Sequence, residues 1–425
     1  MGLFVALPIA GCVGAPPLVQ FEGDLAPRSE RSPIDDPAPL PPQLSLAEAT
    51  SRALRQSAEL QAALARTRRT VAEANQARLL PNPLLDVAFR LVEGGGSPQV
   101  DVGLSAELLA LLTRRARAGA ADARLESAAH EVVATALEVV TQLRLDYAEA
   151  QALTRRIGLL EERSRFFDRL VATARAKLET GEGIRLDLLT LEAQRLELDL
   201  EREGRETELA LAHARLLKAV GAPSRAATFA IDPWSAPPIA PESEQPSIDA
   251  ALAARPELLM LRAELRALDL EASVAGRSLF ENGGAGLGAQ RDGDWSVGPT
   301  LTLPLPLFDD GSAREEIAAA RVLEASHRIA AVERQVVTEV RTAIEELRGA
   351  LHRLGRVEAE LLPIEQQRRD QVEAVYLAGE SDVTALLLAE RDLRQAQERQ
   401  VELQQAASAA WAALEKAVGN QEGTR

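Results

Sequence analysis

The feature that most constrains this chain is an internal repeat with a period of about 198 residues. The letters KAVG occur at residues 218–221 and again at residues 416–419. The further matches are Glu59 with Glu257, Gly181 with Gly379, Leu188 with Leu386 and Glu192 with Glu390 at an offset of 198, and Arg117 with Arg314, Arg124 with Arg321 and Val139 with Val336 at an offset of 197. Small drifts in offset are what changes of loop length produce between two copies of one unit. The sequence therefore predicts one folding unit present twice.

Residues 44–221 and 248–419 are the two predicted repeats. Each has the pattern of a helix, two strands, a long helix, a glycine turn and a last helix. The predicted segments are a helix from a capping box at 45–48 to about Leu80, strands within about 84–106, a long helix from about Arg114 to Thr180, a turn at 181–183, strands within about 285–305 and a turn at 379–382. Pro363 has no counterpart in the first repeat and is expected to kink the second long helix.

Two segments rich in proline flank the first repeat. Residues 222–247 contain six prolines, and residues 13–42 contain eight. Proline at this density prevents a continuous helix and is typical of extended connectors. We therefore expect a linker at 222–247, an N-terminal extension at 12–43 and a short tail at 420–425. Simple disorder is the alternative for the N-terminal extension.

The N-terminus suggests a lipid anchor. Residues 1–11 are apolar and end in small residues before Cys12, the single cysteine of the chain. The stretch Ile-Ala-Gly-Cys resembles the lipobox of bacterial lipoproteins, and the resemblance implies acylation of Cys12 and an anchor in the membrane. The alternative is an ordinary start with a free thiol. The segment lacks a basic residue and is short for a signal, so the true start codon stays open.

Composition narrows the class of protein. The net charge of −16 argues against a nucleic-acid partner, and an aromatic content of 3% with many small and aliphatic residues favours long packed helices. No apolar run approaches the roughly 18 residues of a membrane-spanning helix, so entry into a bilayer would need a closed barrel of strands or a lipid. The four histidines stand apart, and no phosphate-binding loop or catalytic constellation is present. The sequence predicts no enzyme, no metal site and no cofactor.

The predicted strands alternate between apolar and polar residues. Arg90 and Asp101 in the first repeat and Thr300 and Thr302 in the second fall on the polar face. One apolar and one polar face suit a barrel wall with lipid outside and water inside, so these four residues are candidates for a lumen lining. Four strands cannot close a barrel, and three chains would supply twelve. The alternative is two solvent-exposed hairpins on a soluble coiled-coil protein.

The body from about Leu44 to Gly419 resembles the TolC-type outer-membrane factor family. The stretches that carry the resemblance are LLPNPLLDVAF, LTLPLPLFDDGSAREEIAAA, GEGIRLDLLTLEAQ and GESDVTALLLAERD. The resemblance implies a mainly helical fold with a small β part. It further implies a homotrimeric tube in which twelve transmembrane strands form a β-barrel and long antiparallel helices form an α-barrel in the periplasm.

The resemblance also implies roles for the glycine turns. Gly181, Gly183 and Gly379 would reverse the helices at the periplasmic end, beside an aperture lined by acidic side chains. The aperture candidates are Asp187, Tyr376, Glu380 and Asp382. The second repeat has Ala385 and Leu388 where an aspartate would be expected, so Glu380 and Asp382 would substitute there. The alternative is that these acidic groups are solvated charges at the helix tips, with Asp187 in a structural role.

The sequence thus predicts the outer-membrane channel subunit of a tripartite efflux pump or of a type I secretion system. The expected partners are two further copies, a periplasmic adaptor protein, an inner-membrane transporter and outer-membrane lipid. The alternative is a lipid-anchored periplasmic coiled-coil adaptor or scaffold. An adaptor would carry a small β-domain between its helical arms, and residues 222–247 are too few for one. The sequence does not name the cargo, whether drug, metal ion or protein.

Overall fold

The structure is a computed structural model that describes residues 39–91, 99–181, 183–227, 229–234, 239–280, 283–292, 294–305 and 307–419. Several sequence predictions lie outside these residues. They are the signal segment 1–11, the acylation of Cys12, most of the extension at 12–43 and the tail at 420–425.

The described chain is mainly helical with a small sheet part, as the sequence predicts. The helices are α1 (Leu46–Gln56), α2 (Ala58–Ala77), α3 (Leu108–Glu179), α4 (Arg185–Ala219), α5 (Gln245–Ala254), α6 (Pro256–Ala272), α7 (Ser312–Arg356), α8 (Leu362–Leu377) and α9 (Val383–Val418). The strands are β1 (Gln43–Leu44), β2 (Leu84–Arg90), β3 (Gln99–Glu107), β4 (Ala230–Ile231), β5 (Gly284–Asp292) and β6 (Asp294–Thr302). Among the described residues, none of the helices combines the length and the apolar character needed to cross a membrane.

The chain divides into two compact units. The helical unit comprises the described residues within 1–61, 135–255 and 336–425. One of its cores is built around Tyr147 of α3, whose buried hydroxyl donates a hydrogen bond to the Leu44 carbonyl oxygen and accepts one from the Asp232 amide, both at 2.9 Å. Strands β1 and β4 pair in parallel next to these contacts. The buried hydroxyl therefore ties the end of the N-terminal extension and the middle of the linker at 222–247 to α3.

The sheet unit comprises the described residues within 62–134 and 256–335. Its sheet has the strand order β2-β3-β5-β6, and each neighbouring pair is antiparallel. Next to the sheet, α3 and α6 pack through small residues, with Ala120, Ala123 and Ala267 buried against one another. Small side chains let helix axes approach closely, as the composition suggested.

Several predicted boundaries are wrong. The long helix α3 begins at Leu108, ahead of the predicted Arg114, because residues 108–113 (LLALLT) are mostly strong helix formers that continue directly from β3. The first helix is interrupted at Ser57, whose hydroxyl caps α2 by accepting a hydrogen bond from the Leu60 amide at 3.2 Å. The linker at 222–247 contains β4 and ends in the first turn of α5, where Pro246 is tolerated.

Pro363 acts through a π-helical turn at Val357–Leu361 that joins α7 to α8. The Leu362 amide bonds to the Val357 carbonyl, five residues back, which opens the helix just before the proline ring. A π-turn adds one residue to a helix, and the repeat offset changes from 197 to 198 across this segment. The extra residue of the second repeat therefore lies within a helix. We had predicted that the change in offset comes from a change of loop length.

Candidate functional site

The four-stranded sheet has two chemically different faces. Its register aligns Asp86 with Gly103, Gly103 with Gly288 and Gly288 with Gly298, so these residues share one face. The polar members of this face include Asp86, Arg90, Asp101, Ser105, Gln290, Ser296, Thr300 and Thr302. All four predicted lumen residues therefore lie on the same face, as strand alternation requires.

The polar face is concave. A depression of about 550 Å³ is lined by residues from all four strands. Within it Arg90 and Asp101 form an ion pair at 3.1 Å across β2 and β3, while the second carboxylate oxygen of Asp101 is buried without a hydrogen-bond partner in the described protein. Thr300 lies across the depression on β6. The sheet thus brings Arg90 and Asp101 into contact and leaves Thr300 and Thr302 on a separate strand.

A row of glycines allows this shape. At Gly286 a Cβ atom would lie 2.1 Å from the Leu104 carbonyl oxygen, and at Gly288 it would lie 3.0 Å from the Thr300 methyl group. The stretch GAGLGAQ is a poor strand by propensity, yet it forms β5 because only glycine fits this close approach.

The opposite face is apolar except for Arg291 near the end of β5, and it is uncovered in the single chain. Phe89 is 73% exposed and Val297 is 72% exposed. The other large apolar residues that alternate onto this face and are exposed are Leu85, Val87, Leu104, Leu287, Trp295 and Leu301. A continuous apolar surface of this kind needs a partner that is itself apolar.

The glycine turns lie in the helical unit, and each reverses a helix. Gly181 and Gly379 both have φ of +79°, the left-handed conformation that glycine adopts without strain. In the second turn the Glu380 amide bonds to the Val375 carbonyl at 3.1 Å and the Gly379 amide to the Tyr376 carbonyl at 3.0 Å, which satisfies the last carbonyls of α8. Asp382 then caps α9, because its carboxylate accepts a hydrogen bond from the Ala385 amide at 3.1 Å.

The first turn has different chemistry. Its Gly183 amide bonds to the Lys177 carbonyl at 2.9 Å, and a Cβ atom at Gly183 would lie 2.8 Å from the Leu178 nitrogen. Helix α4 begins after Ile184 without a side-chain cap. Glycine is therefore required at position 183 by space, whereas Gly181 is required by its φ angle.

Tyr376 brings the two turns together. Its ring is buried in a cluster with residues of α3, α4 and α9, and the Lys177 ammonium lies 5.4 Å from the ring centroid. Burial raises the pKa of Tyr376, and the nearby Asp187 carboxylate raises it further. Asp187 is half-buried, while Glu380 and Asp382 are exposed at the second turn. The predicted aperture residues therefore divide into a less accessible pair, the buried Tyr376 and the half-buried Asp187, and an exposed pair.

Sequence reasoning missed a buried charge cluster near this end. Glu390 of α9 is 6% exposed and lies between two arginines, with Arg163 Nε at 3.8 Å and Arg369 Nε at 3.5 Å. Arg163 lies over the ring of Phe167 at 5.5 Å, and Arg369 lies over the ring of Phe166 at 5.3 Å. The repeat paired Glu390 with Glu192 but gave no sign that one of them is buried.

Burial controls the ionisation of this cluster. It raises the pKa of the Glu390 carboxyl group, and its effect exceeds the opposing effect of the Arg369 and Arg163 charges. The nearby carboxylates of Glu373 and Asp370 raise the pKa further. In the described part of the chain no group of three or more histidine, cysteine or acidic residues is placed to hold a metal ion.

In comparisons with known proteins, the second repeat matches a family model. Residues 247–420 match the family model described as outer membrane efflux protein. No curated protein matches the sequence of the whole chain.

The fold of the described chain is similar to that of solved outer-membrane channels. VceC from Vibrio cholerae is 20% identical with a TM-score of 0.74, and the match covers 88% of this chain and 96% of VceC. CusC, whose structures are described in terms of folding and transmembrane channel formation, is 18% identical with a TM-score of 0.75 over 88% and 92% of the two chains. The outer-membrane channel OprN is 19% identical with a TM-score of 0.74 over 92% and 94%. The sequence resemblance to the TolC-type family is thereby confirmed, and at these identities the structural likeness establishes the shared fold.

Proposed function

We propose that this protein is the outer-membrane channel subunit of an efflux or secretion assembly and serves as a passive exit duct. Three copies would join their four-stranded sheets into a twelve-stranded barrel and their helices into a periplasmic tube. Closed cyclic symmetry removes the free sheet edges that a lipid environment does not tolerate. Lipid anchoring through Cys12 would hold the N-terminal extension at the same membrane.

The observation that carries this proposal is the two-faced sheet. Its apolar face, with Phe89 and Val297 largely exposed, suits contact with acyl chains. Its polar face is concave and holds Arg90, Asp101 and Thr300, which suits a water-filled lumen. A soluble protein would expose the same apolar surface to water.

The glycine turns would form the periplasmic aperture. Glu380 and Asp382 are exposed at the second turn, where threefold repetition would produce a ring of six carboxylates. Asp187 and Tyr376 lie deeper and would fix the position of the turns. The partners would be an adaptor protein and an inner-membrane transporter, and the transporter would select the cargo.

The coiled-coil adaptor or scaffold hypothesis is not favoured. It leaves the apolar face of the sheet without an occupant. The comparisons also place the fold with channels such as VceC and OprN. A channel explains both the two-faced sheet, as a barrel wall, and the long helices, as a tube.

Ion selectivity in planar bilayers tests the proposal. Protein extracted from outer-membrane fractions should form pores with cation preference, measured as a reversal potential in a salt gradient. Glu380→Gln with Asp382→Asn removes both charges and leaves a cap acceptor for α9, so the preference for cations should fall.

The matched control is Glu203→Gln with Glu402→Gln. It removes two exposed carboxylates from α4 and α9 about 20 residues from the turns, or roughly 30 Å along a helix. The control should keep the wild-type selectivity. Equal selectivity in all three proteins would show that Glu380 and Asp382 do not line the aperture. An absence of pores would contradict the channel function itself.

A further inference from the structure

The second repeat carries an exposed apolar segment between β6 and α7. It consists of residues 303–308, with the sequence LPLPLF, and we call it the 303–308 segment. Leu305 and Leu307 are 76% and 75% exposed, Phe308 is fully exposed, and Leu303 is exposed as well. Four large apolar side chains within six positions indicate a contact with another apolar surface.

Polar contacts hold the end of this segment in place. The Leu307 amide donates a hydrogen bond to the Leu305 carbonyl at 2.8 Å. Directly after Phe308, the Asp309 carboxylate accepts a hydrogen bond from the Gly311 amide at 2.9 Å. Phe308 is therefore fully exposed although the backbone on either side of it is hydrogen-bonded. A side chain presented in this way loses little conformational entropy when it docks.

The corresponding junction of the first repeat is covered by its own chain. Strands β3 and β6 end 195 residues apart, and at this offset residues 108–113 (LLALLT) correspond to the 303–308 segment. Ala110 and Thr113 of the first junction are 6% and 8% exposed. The first junction lies beside the second repeat, since β3 pairs with β5 and α3 packs against α6. If the same arrangement is repeated, the second junction lies beside the first repeat of another copy.

Proline gives the second junction a longer reach than the first. Residues 108–113 are helical and belong to α3, whereas the 303–308 segment contains two prolines and α7 begins only at Ser312. Six residues span at most roughly 20 Å when extended, compared with about 9 Å in a helix. The 303–308 segment is thus long enough to pass the edge of its own sheet.

A second exposed apolar surface lies at the junction between α2 and β2. We define the α2–β2 junction as residues 79–84, with the sequence LLPNPL. Leu79, Leu80 and Leu84 are 57%, 46% and 60% exposed, and the residues between them are exposed too. This surface matches the 303–308 segment in composition, because both consist mainly of leucine and proline.

The register of the sheet places both surfaces at the same level. It aligns Leu84 with Ser105, Ser105 with Gly286 and Gly286 with Thr300, so β2 begins at the end of the sheet where β6 finishes. Strands β2 and β6 are the two open edges. The α2–β2 junction and the 303–308 segment therefore lie beyond the same end of the sheet, one at each open edge.

Strand direction allows the two edges to meet. Neighbouring strands of the sheet are antiparallel throughout, so β2 and β6 run in opposite directions. When copies join edge to edge, β6 of one copy can therefore pair with β2 of the next without breaking the antiparallel pattern. The segment that follows β6 then comes next to the junction that precedes β2.

We propose that the 303–308 segment of one copy packs against the α2–β2 junction of the next copy. This contact rests on the proposed channel, because only a ring of copies brings the two edges together. Leu305 and Phe308 would cover Leu79 and Leu80. Each copy gives one segment and receives one, so the contact is heterologous and is complete only when the ring closes.

Cross-linking between copies tests the contact. Leu80→Cys and Leu305→Cys chains with different tags are co-expressed, extracted from outer-membrane fractions and treated with a short bismaleimide. Covalent dimers that carry both tags should appear on a denaturing gel. Each variant expressed alone should give monomers, because equal positions in a threefold ring lie far apart, and these samples also control for the native Cys12.

A pair of serine substitutions measures how much the contact contributes. Leu305→Ser with Phe308→Ser removes two apolar side chains, each worth at least about tenfold in association, so neighbouring copies should associate about 100-fold more weakly. The matched control is Leu111→Ser with Leu112→Ser, which changes two exposed leucines of the first junction and should leave association unchanged. Sedimentation of the detergent-extracted proteins over a dilution series measures both.

The outcomes separate this contact from the channel function. Threefold particles that give no mixed cross-link would overturn the contact while keeping the channel, and lipid would then be the occupant of the 303–308 segment. Equal association of the two serine variants would likewise overturn it. A wild-type protein that forms no oligomer would refute the channel function as well. If the Leu305→Ser with Phe308→Ser protein does not reach the membrane, the cross-link alone decides.

Discussion

Glu192 and Glu390 occupy equivalent positions in the two repeats but have opposite surroundings. Glu192 is half-buried on α4 and forms an ion pair with Arg175 at 2.8 Å. Glu390 is buried on α9 between Arg163 and Arg369. A duplicated sequence thus places the same side chain once partly in water and once inside the helical unit.

The long helices differ in the same way. In the first repeat α3 runs without interruption from Leu108 to Glu179. In the second repeat α7 and α8 are joined by a π-turn ahead of Pro363. The turns diverge as well, since Gly183 corresponds to Ser381 and only the second turn supplies a capping aspartate, Asp382. The duplication has kept the order of the elements while each repeat has acquired its own side-chain chemistry.

The largest difference in unfolding free energy between equivalent substitutions is expected in the buried core near the glycine turns. Phe166 is buried against Phe167 and Arg369, whereas the equivalent Ile364 is 61% exposed. Phe166→Ala should lower the free energy of unfolding by about 3–5 kcal/mol through a cavity. Ile364→Ala should lower it by less than about 1 kcal/mol. Denaturant unfolding followed by circular dichroism in detergent measures both, and equal losses would contradict an asymmetric core.

Exchange of the turn residues should have an intermediate effect. Gly183→Ser introduces a Cβ atom where the backbone of Leu178 lies 2.8 Å away, so the turn must shift and the free energy of unfolding should fall by about 2 kcal/mol. Ser381→Gly adds only backbone entropy and should lower it by less than about 1 kcal/mol. The same unfolding assay applies. If Gly183→Ser left the free energy of unfolding unchanged, the backbone of the first turn would have the same conformation as that of the second.

Substitution of Glu192 or Glu390 should change the free energy of unfolding least. The two changes should have opposite signs. Burial holds the pKa of Glu390 above its ordinary 4.5, so the folded state keeps the proton to a higher pH than the unfolded state. The free energy of unfolding should therefore fall as pH rises from about 4.5 through the folded-state pKa. Glu390→Gln should abolish this fall and stabilise the protein at neutral pH.

Glu192→Gln is the matched control. It removes the ion pair between the half-buried Glu192 and the exposed Arg175 and should destabilise the protein by less than about 1 kcal/mol at neutral pH. Unfolding curves recorded at several pH values distinguish the two variants. A destabilised Glu390→Gln protein would show that the arginine charges, rather than burial, dominate at Glu390.

Local patterns in the sequence were sufficient for the element order and for the faces of the sheet. Strand alternation placed Arg90, Asp101, Thr300 and Thr302 on one face because successive residues of a strand point to opposite sides. The left-handed glycines at both turns were also predictable from sequence. Roles in a lumen or an aperture stay predictions for all of these residues.

Features that depend on contacts distant in sequence were not predictable. The burial of Glu390 follows from the rotation of α9 against α3 and α8, which residue spacing on α9 alone does not define. The residues of β5 have a low propensity for strands. They form one because β3 lies so close that only glycine fits opposite it. The cap at Asp382 could have been found, since an aspartate before a helical pattern is a known start signal.

Single-particle imaging of the detergent-extracted protein from outer-membrane fractions tests the central claim most directly. The proposed channel predicts threefold-symmetric tubes, in which twelve strands form one end and a long helical barrel forms the other. Elongated monomers or dimers that leave the membrane without detergent once Cys12 is replaced by serine would contradict the channel and favour the lipid-anchored scaffold.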